Sequence, residues 1–257
     1  MKNVFRQLQK RLAKDHSLVF FDIETSYMLA RIWRTGEQYI GHEHIVKGTE
    51  TRVISIQWKF EGDKKVSYLT WDKNQCDKTM LRKFISIIND AKVAISQNGK
   101  AFDHKTLRER IKHHKLPALK EVIMLDALLL SRESFNSPSH TLDWRSEEYG
   151  LGGKIKMIFQ DWINVVELKL VKALRKMVVY GCKDVTDLQK VFWRELPYYK
   201  TMPLSFAVLL KEPREHCPRC ASRRQKRFDV YPTKVGNKKM MICRNCNHKW
   251  KETRLIT

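Results

Sequence analysis

Two carboxylates one residue apart close the apolar run Leu18-Val19-Phe20-Phe21-Asp22-Ile23-Glu24-Thr25. On an extended chain, residues two apart project to the same side, so Asp22 and Glu24 present like charges together at the rim of a buried segment. Such a pair is costly unless a cation or several donors compensate it. Two further acids stand in suitable context. Asp103 ends the run Asn98-Gly99-Lys100-Ala101-Phe102-Asp103 where a strand gives way to a helix, and Asp184 follows Tyr180 by four residues, one helical turn along the same face. Taken singly, Asp103 reads as a helix cap and Asp184 as a solvated neighbour of Lys183. Asp126, Asp143 and Asp187 read as supporting, capping or surface acids. Hard oxygen ligands select Mg²⁺ or Mn²⁺, and two such ions ~3.5–4 Å apart can clamp the attacking and leaving oxygens of a phosphodiester.

A second constellation lies near the C-terminus. Cys217-Pro218-Arg219-Cys220 and Cys243-Arg244-Asn245-Cys246 are two C-x₂-C knuckles separated by 22 residues. Two thiolate pairs on short loops make a closed tetrahedral cage, the donor set of one structural Zn²⁺ with no position left for chemistry. The spacer has alternating apolar residues around Val235-Gly236-Asn237, a hairpin pattern, and the whole reads as a zinc ribbon. A segment this short cannot build a sufficient core alone, so the metal would hold it together. Cys76 and Cys182 read as ordinary thiols in a reducing compartment.

The partner is suggested by charge. Fifty Lys plus Arg against 28 Asp plus Glu leave +22, the footprint of a protein that neutralises phosphates. Residues 211–257 alone hold 14 Lys/Arg against 4 Asp/Glu. No apolar run approaches the ~20 residues of a membrane span, no basic amphipathic helix has a broad apolar face to insert, and the N-terminus lacks the pattern of a secretion signal. A cytoplasmic location with no membrane partner is expected. No GxxxxGK[ST] and no GxGxxG before a helix is present, which argues against nucleoside triphosphate or dinucleotide use. His42, His44, His113 and His114 read as loop or surface residues and not as metal ligands.

The elements that must position these groups follow from pattern. A basic helix is expected over residues 3–14, then strands at 18–23, 52–60 and 65–71, the last two parted by the turn Glu61-Gly62-Asp63. A helix over 77–90, a strand at 92–96, a helix over 103–115 and an apolar strand segment at 121–130 come next. Residues 131–162 read as loop with a short helix near 141–149, and 166–195 as one long helix. Glycine at 181 costs that helix ~1 kcal/mol relative to Ala. The order implies an α/β fold, a mixed sheet of an antiparallel meander plus parallel strands, flanked by helices.

Phe21-Asp22-Ile23-Glu24-Thr25, Asn98-Gly99-x-x-Phe102-Asp103 and Tyr180-x-x-x-Asp184 together resemble the three motifs of the DEDD exonuclease superfamily, over roughly residues 17–195. Tyrosine at 180 resembles its DEDDy branch, and the run from Ile23 through Trp33 and Ile40 to Trp58, the Gly150–Lys154 loop and the cysteine module are similar to stand-alone exonuclease proteins of bacteriophages and bacteria. Gln97 stands where relatives often carry His. The resemblance implies an RNase H-like domain over 1–196, a linker over 197–213 and a zinc ribbon over 214–257. It implies that Asp22, Glu24 and Asp184 hold one Mg²⁺ or Mn²⁺, that Asp22 bridges to a second supported by Asp103 through water, and that Tyr180 orients the attacking water. The expected activity is 3'-5' exonucleolytic hydrolysis of nucleic acid, single-stranded DNA favoured over RNA, in a bacterial or phage-infected cell. Asn98, Lys154, Arg219, Arg223, Arg224, Lys226 and Arg227 are the expected nucleic-acid contacts, and the ribbon offers a docking place for a replication or repair protein. The rival readings are an RNase H-like endonuclease and a non-catalytic nucleic-acid-binding module; a zinc-ribbon transcription factor would leave the carboxylates unexplained.

Overall fold

The computed structural model describes residues 2–152, 155–212 and 216–255. Strand β1 (Leu18–Thr25) is apolar on both faces over its first four residues, and it takes the centre of a five-stranded sheet. β2 (Val53–Phe60) pairs with it antiparallel and is followed by β3 (Ser67–Thr70), while β4 (Val93–Ser96) and β5 (Ile123–Asp126) continue the other side in parallel, giving the order β3-β2-β1-β4-β5. This is the mixed sheet expected, meander and parallel strands included. Between β2 and β3, Gly62 has φ +103°, and a Cβ there would lie 2.8 Å from the carbonyl oxygen of Ala13. Glycine therefore serves both the turn and the close approach of α1 (Lys2–Asp15).

Alternation along β1 divides the core. Val19, Phe21 and Ile23 pack with Phe84 of α2 (Lys78–Asn89) and Leu107 of α3 (Asp103–His113). Leu18 and Phe20 pack on the other side with Leu8 and Leu12 of α1 and with Val185, Leu188 and Phe192 of α7 (Val171–Glu195). Asp22 and Glu24 continue that second face, so the sheet aims them at α7.

Four elements depart from the expected boundaries. The apolar segment 121–130 is half strand and half helix, because the Asp126 carboxylate accepts the Leu128 and Leu129 amides at 3.0 and 3.3 Å and starts α4 (Ala127–Ser134). The long helix begins at Val171, later than expected: Lys169 is left-handed at φ +53° and separates it from α6 (Phe159–Val166), a helix read as loop. The short helix near 141–149 is α5 (Leu142–Glu148), capped by the Thr141 hydroxyl. The connector holds one more helical turn, α8 (Phe206–Leu209).

The C-terminal residues form a second sheet, β6 (Gln225–Thr233), β7 (Gly236–Cys243) and β8 (Lys249–Leu255), antiparallel throughout, with Gly236 at φ +131° in the expected hairpin. Its four cysteines are buried in the same apolar cluster as Phe5, Leu8, Phe206 and Phe20. Arg219 donates to the carbonyl of Leu196 at 2.9 Å and to that of Tyr199, and the Phe206 amide donates to Pro218 at 2.7 Å. Among the described residues, no helix is long and apolar enough to cross a membrane.

Candidate active site

The β1–β2 register builds the floor of the site. Asp22 lies opposite Gln57 and Glu24 opposite Ser55, so two carboxylates and two buried polar side chains share one patch of sheet. Sequence reading missed Ser55 and Gln57, although their spacing of two matches that of Asp22 and Glu24 and an antiparallel pairing would have placed them opposite. Gln57 donates to the Ser55 hydroxyl at 2.8 Å, and its Oε1 is buried without a hydrogen-bond partner.

Asp103 enters from the parallel side. β1 pairs with β4 only through Phe20, so the later amides of β1 on that side need other partners. The Asp103 carboxylate accepts the Ile23 N–H as well as its own amide. Asp103 is 2% exposed, and its Oδ1 has no hydrogen-bond partner. Burial raises its pKa to about 7 against the pull of those two amides, with Asp126 adding to the rise. The loop that delivers it turns on Asn98, left-handed at φ +61°, and is clamped by Asp126, which accepts the amides of Asn98 at 3.1 Å and Lys100 at 3.0 Å. Asp126 is thus a buried capping and clamping acid. His104 stacks on Phe21 with centroids 5.9 Å apart, and burial lowers its pKa to about 4, which keeps it neutral under the loop.

α7 supplies the remaining groups. Tyr180 hydrogen-bonds Asp184 one turn on, and its phenol pKa is pushed up by burial and then by the charges of Asp184, Glu24 and Asp22. Gly181 faces Gln57, where a Cβ would lie 2.6 to 2.9 Å from the amide group. The glycine that weakens the helix is what lets α7 sit down on β2. Lys183 pairs with Asp187, a buried residue. Asp143, Glu147 and Asp187 line one cleft with Asp184 and Lys183, so further acids and one cation border the group.

Asp22 registers the convergence. Its pKa is driven well up, by burial first and then by Glu24, Asp103 and Asp184 in that order. Carboxylates from three separate parts of the chain therefore act on Asp22, and Asp184, Glu24 and Asp22 act on Tyr180. Mutual repulsion, an orphaned buried Asp103 oxygen and an all-oxygen donor set suit a hard divalent cation. Asp22, Glu24, Asp103 and Asp184 are the acids such an ion would meet, although no three of them bring ligand atoms within 4.8 Å of one another.

Two groups among the described residues bring three or more ligand atoms within 4.8 Å of one another. One is Cys217, Cys220, Cys243 and Cys246, with Sγ···Sγ separations of 3.6 and 3.7 Å. A tetrahedron with Zn–S bonds of ~2.3 Å has an edge of ~3.8 Å, so the buried cluster has the size and donor set for zinc. The other is Cys76, Asp77 and His114. There the Asp77 carboxylate already accepts Arg110 at 2.8 and 2.9 Å, the Val53 amide at 3.0 Å and His114 at 2.6 Å, and a cation would abut the guanidinium. That group is an ion-pair network, and His114 belongs to it and not to the surface.

Of the expected nucleic-acid contacts, Asn98, Arg223, Arg224, Lys226 and Arg227 are exposed. Arg219 is half-buried and spends its donors on the carbonyls of Leu196 and Tyr199. Lys154 lies outside the described residues.

The strand order β3-β2-β1-β4-β5, with β2 alone running against the other four strands, makes a mixed α/β sheet flanked by helices. No family model and no curated protein matches the chain. Among solved structures, the family B DNA polymerase from the hyperthermophilic archaeon Pyrobaculum calidifontis is similar over 70% of this chain and 24% of its own, at 14% identity and a TM-score of 0.49.

Proposed function

We propose that the protein is a metal-dependent 3'-5' exonuclease of the DEDDy type that acts on single-stranded nucleic acid, DNA in preference to RNA. What supports this reading is the sheet register that sets Asp22 and Glu24 side by side toward α7, with a buried Asp103 oxygen left without a partner and the charges of Glu24, Asp103 and Asp184 bearing on Asp22. Two Mg²⁺ or Mn²⁺ ions bound by those side chains would supply Lewis-acid charge for in-line attack on a phosphodiester. The Tyr180 phenol, held protonated by burial and by the acids around it, is a donor that orients water and not a base. Asp103, anchored by the Ile23 amide, fixes the far wall of the site. One structural zinc on the four cysteines would hold the basic C-terminal sheet, whose exposed Arg223, Arg224, Lys226 and Arg227 retain the strand. A replication or repair protein docked on that sheet is a further role open to it.

The test compares wild type with Asp22→Ala on 3'- and 5'-labelled single strands of DNA and RNA, and on circular single-stranded DNA, with Mg²⁺, with Mn²⁺ or with neither. Metal-dependent loss of nucleotides from the 3' end by wild type alone is expected, the circle being spared. Cleavage of the circle would make the protein an endonuclease. Binding without any cleavage would make it a non-catalytic module.

A further inference from the structure

Directly after the carboxylates of β1 the chain leaves the sheet and does not return until residue 53. The excursion is pinned at its base, where the Ser26 amide donates to the Arg52 carbonyl and the Arg52 amide to the Ser26 hydroxyl, both at 2.9 Å. Above that it is laced as a narrow double strand. Val46 donates to the Leu29 carbonyl at 2.8 Å, Arg31 to His44 at 2.9 Å, and Ala30 bridges Ile45 antiparallel. The tip, residues 31–40, is exposed throughout, with Trp33 at 99% and Tyr39 at 89%. A Trp with its whole surface in water serves nothing in the fold, and with Ile32, Tyr39 and Ile40 also exposed this one projecting segment carries the bare apolar surface that marks a binding site.

We infer that residues 27–46 form a strand-gripping arm, with Trp33 and Tyr39 as stacking platforms for the unpaired bases of the strand whose phosphates reach the carboxylates. Each base has a π-face, so such platforms bind single strands with little sequence preference and cannot reach bases stacked in a duplex. Charge favours nucleic acid over a protein partner. Arg31 and Arg34 flank Trp33, and while Glu37 and Glu43 balance them within the arm, the whole chain carries +22. The arm is also rooted at the site: it begins at the end of β1, and Tyr27 at its base hydrogen-bonds Glu167 and packs on Phe159 with ring centroids 5.2 Å apart.

The inference rests on the nuclease reading only for what the carboxylates do, and binding can be measured apart from cutting. With Ca²⁺ in place of Mg²⁺, anisotropy of labelled oligo(dT) and of a duplex of equal length is recorded for wild type, Trp33→Ala, Tyr39→Ala and Trp33→Phe. Each Ala variant should weaken oligo(dT) binding by about five-fold or more, the Phe variant should largely restore it, and wild type should prefer the single strand. Trp33 supports no packing, so melting temperatures should not move. Ala variants that bind like wild type, or a wild type that prefers duplex, would overturn the arm while leaving the cleavage assay intact. A Trp33-dependent shift in sedimentation with no effect on oligo(dT) would also overturn it and make the surface a self-association face. Trp33-dependent binding by a protein that never cuts with Mg²⁺ or Mn²⁺ would leave the arm standing and remove the nuclease.

Discussion

Gly181 is where one methyl group separates two opposed effects. Helix propensity alone would have Gly181→Ala gain ~1 kcal/mol, yet the new Cβ would lie within 2.6 to 2.9 Å of the Gln57 amide. The atoms met are the movable end of the Gln57 side chain, whose displacement costs about the ~1 kcal/mol of its bond to Ser55, so Gly181→Ala should be near neutral alone and clearly stabilising in a Gln57→Ala background. Denaturant midpoints of the four proteins in the cycle decide it; additivity would show that the contact is not the cause. Asp22 makes a second residue-level case. In buffer free of divalent ions, Asp22→Asn removes a charge that three carboxylates oppose, and it should melt above wild type. Mn²⁺ should reverse that order by raising wild type alone. A wild type that gains nothing from Mn²⁺ would argue against a cation among these acids.

At the level of elements, buried ion pairs tie the scaffold of the site together. Asp77, fully buried ahead of α2, would have its pKa raised by burial, but Arg110, the Val53 amide and His114 outweigh that and lower it below the ordinary 3.8. A depressed carboxylate stabilises the fold above 3.8 and loses that contribution as pH falls through its folded value. Arg110→Ala should cost ~3–5 kcal/mol at neutral pH by stranding the charge, and the deficit should narrow below about pH 4, which melting curves across pH would reveal. On the opposite side Arg145, 1% exposed, joins Glu195 and Tyr199 at the end of α7 to Gln97 at the end of β4. Gln97 thus braces the loop that carries Asp103 against the helix that carries Asp184. What was legible in the sequence is what local pattern controls. Strands β1 to β4 and helices α2 and α3 were near their expected bounds, and the carboxylate spacings singled out Glu24, Asp103 and Asp184, whose charges bear on Asp22. The clamp made by Asp126, the break at Lys169 and the close approach at Gly181 depend on partners far away in the chain, and no window of sequence contains them. Gln57 lay in plain view within an apolar strand, but its meaning depends on a register that only the paired strands define.

The molecule as a whole has one core serving both sheets. Phe5, Leu8 and Leu12 of α1 and Phe206 of α8 pack in the cluster that also takes Phe20 of β1 and all four cysteines. Loss of zinc should therefore spread beyond the cysteine loops. Cys243→Ser is expected to remove amide-exchange protection from α1 and α8 as well as from β6–β8, while β1 and β4 retain theirs. Protection lost only over residues 216–255 would mean that the two sheets are independent. The same shared core bears on protein engineering. Because Arg219 is committed to the backbone at the end of α7 and the cysteines share walls with α1, the cysteine-bearing segment is no portable cassette: transplanted onto another scaffold it would expose an oily underside, and a chimaera that keeps it soluble must bring along α1 and α8.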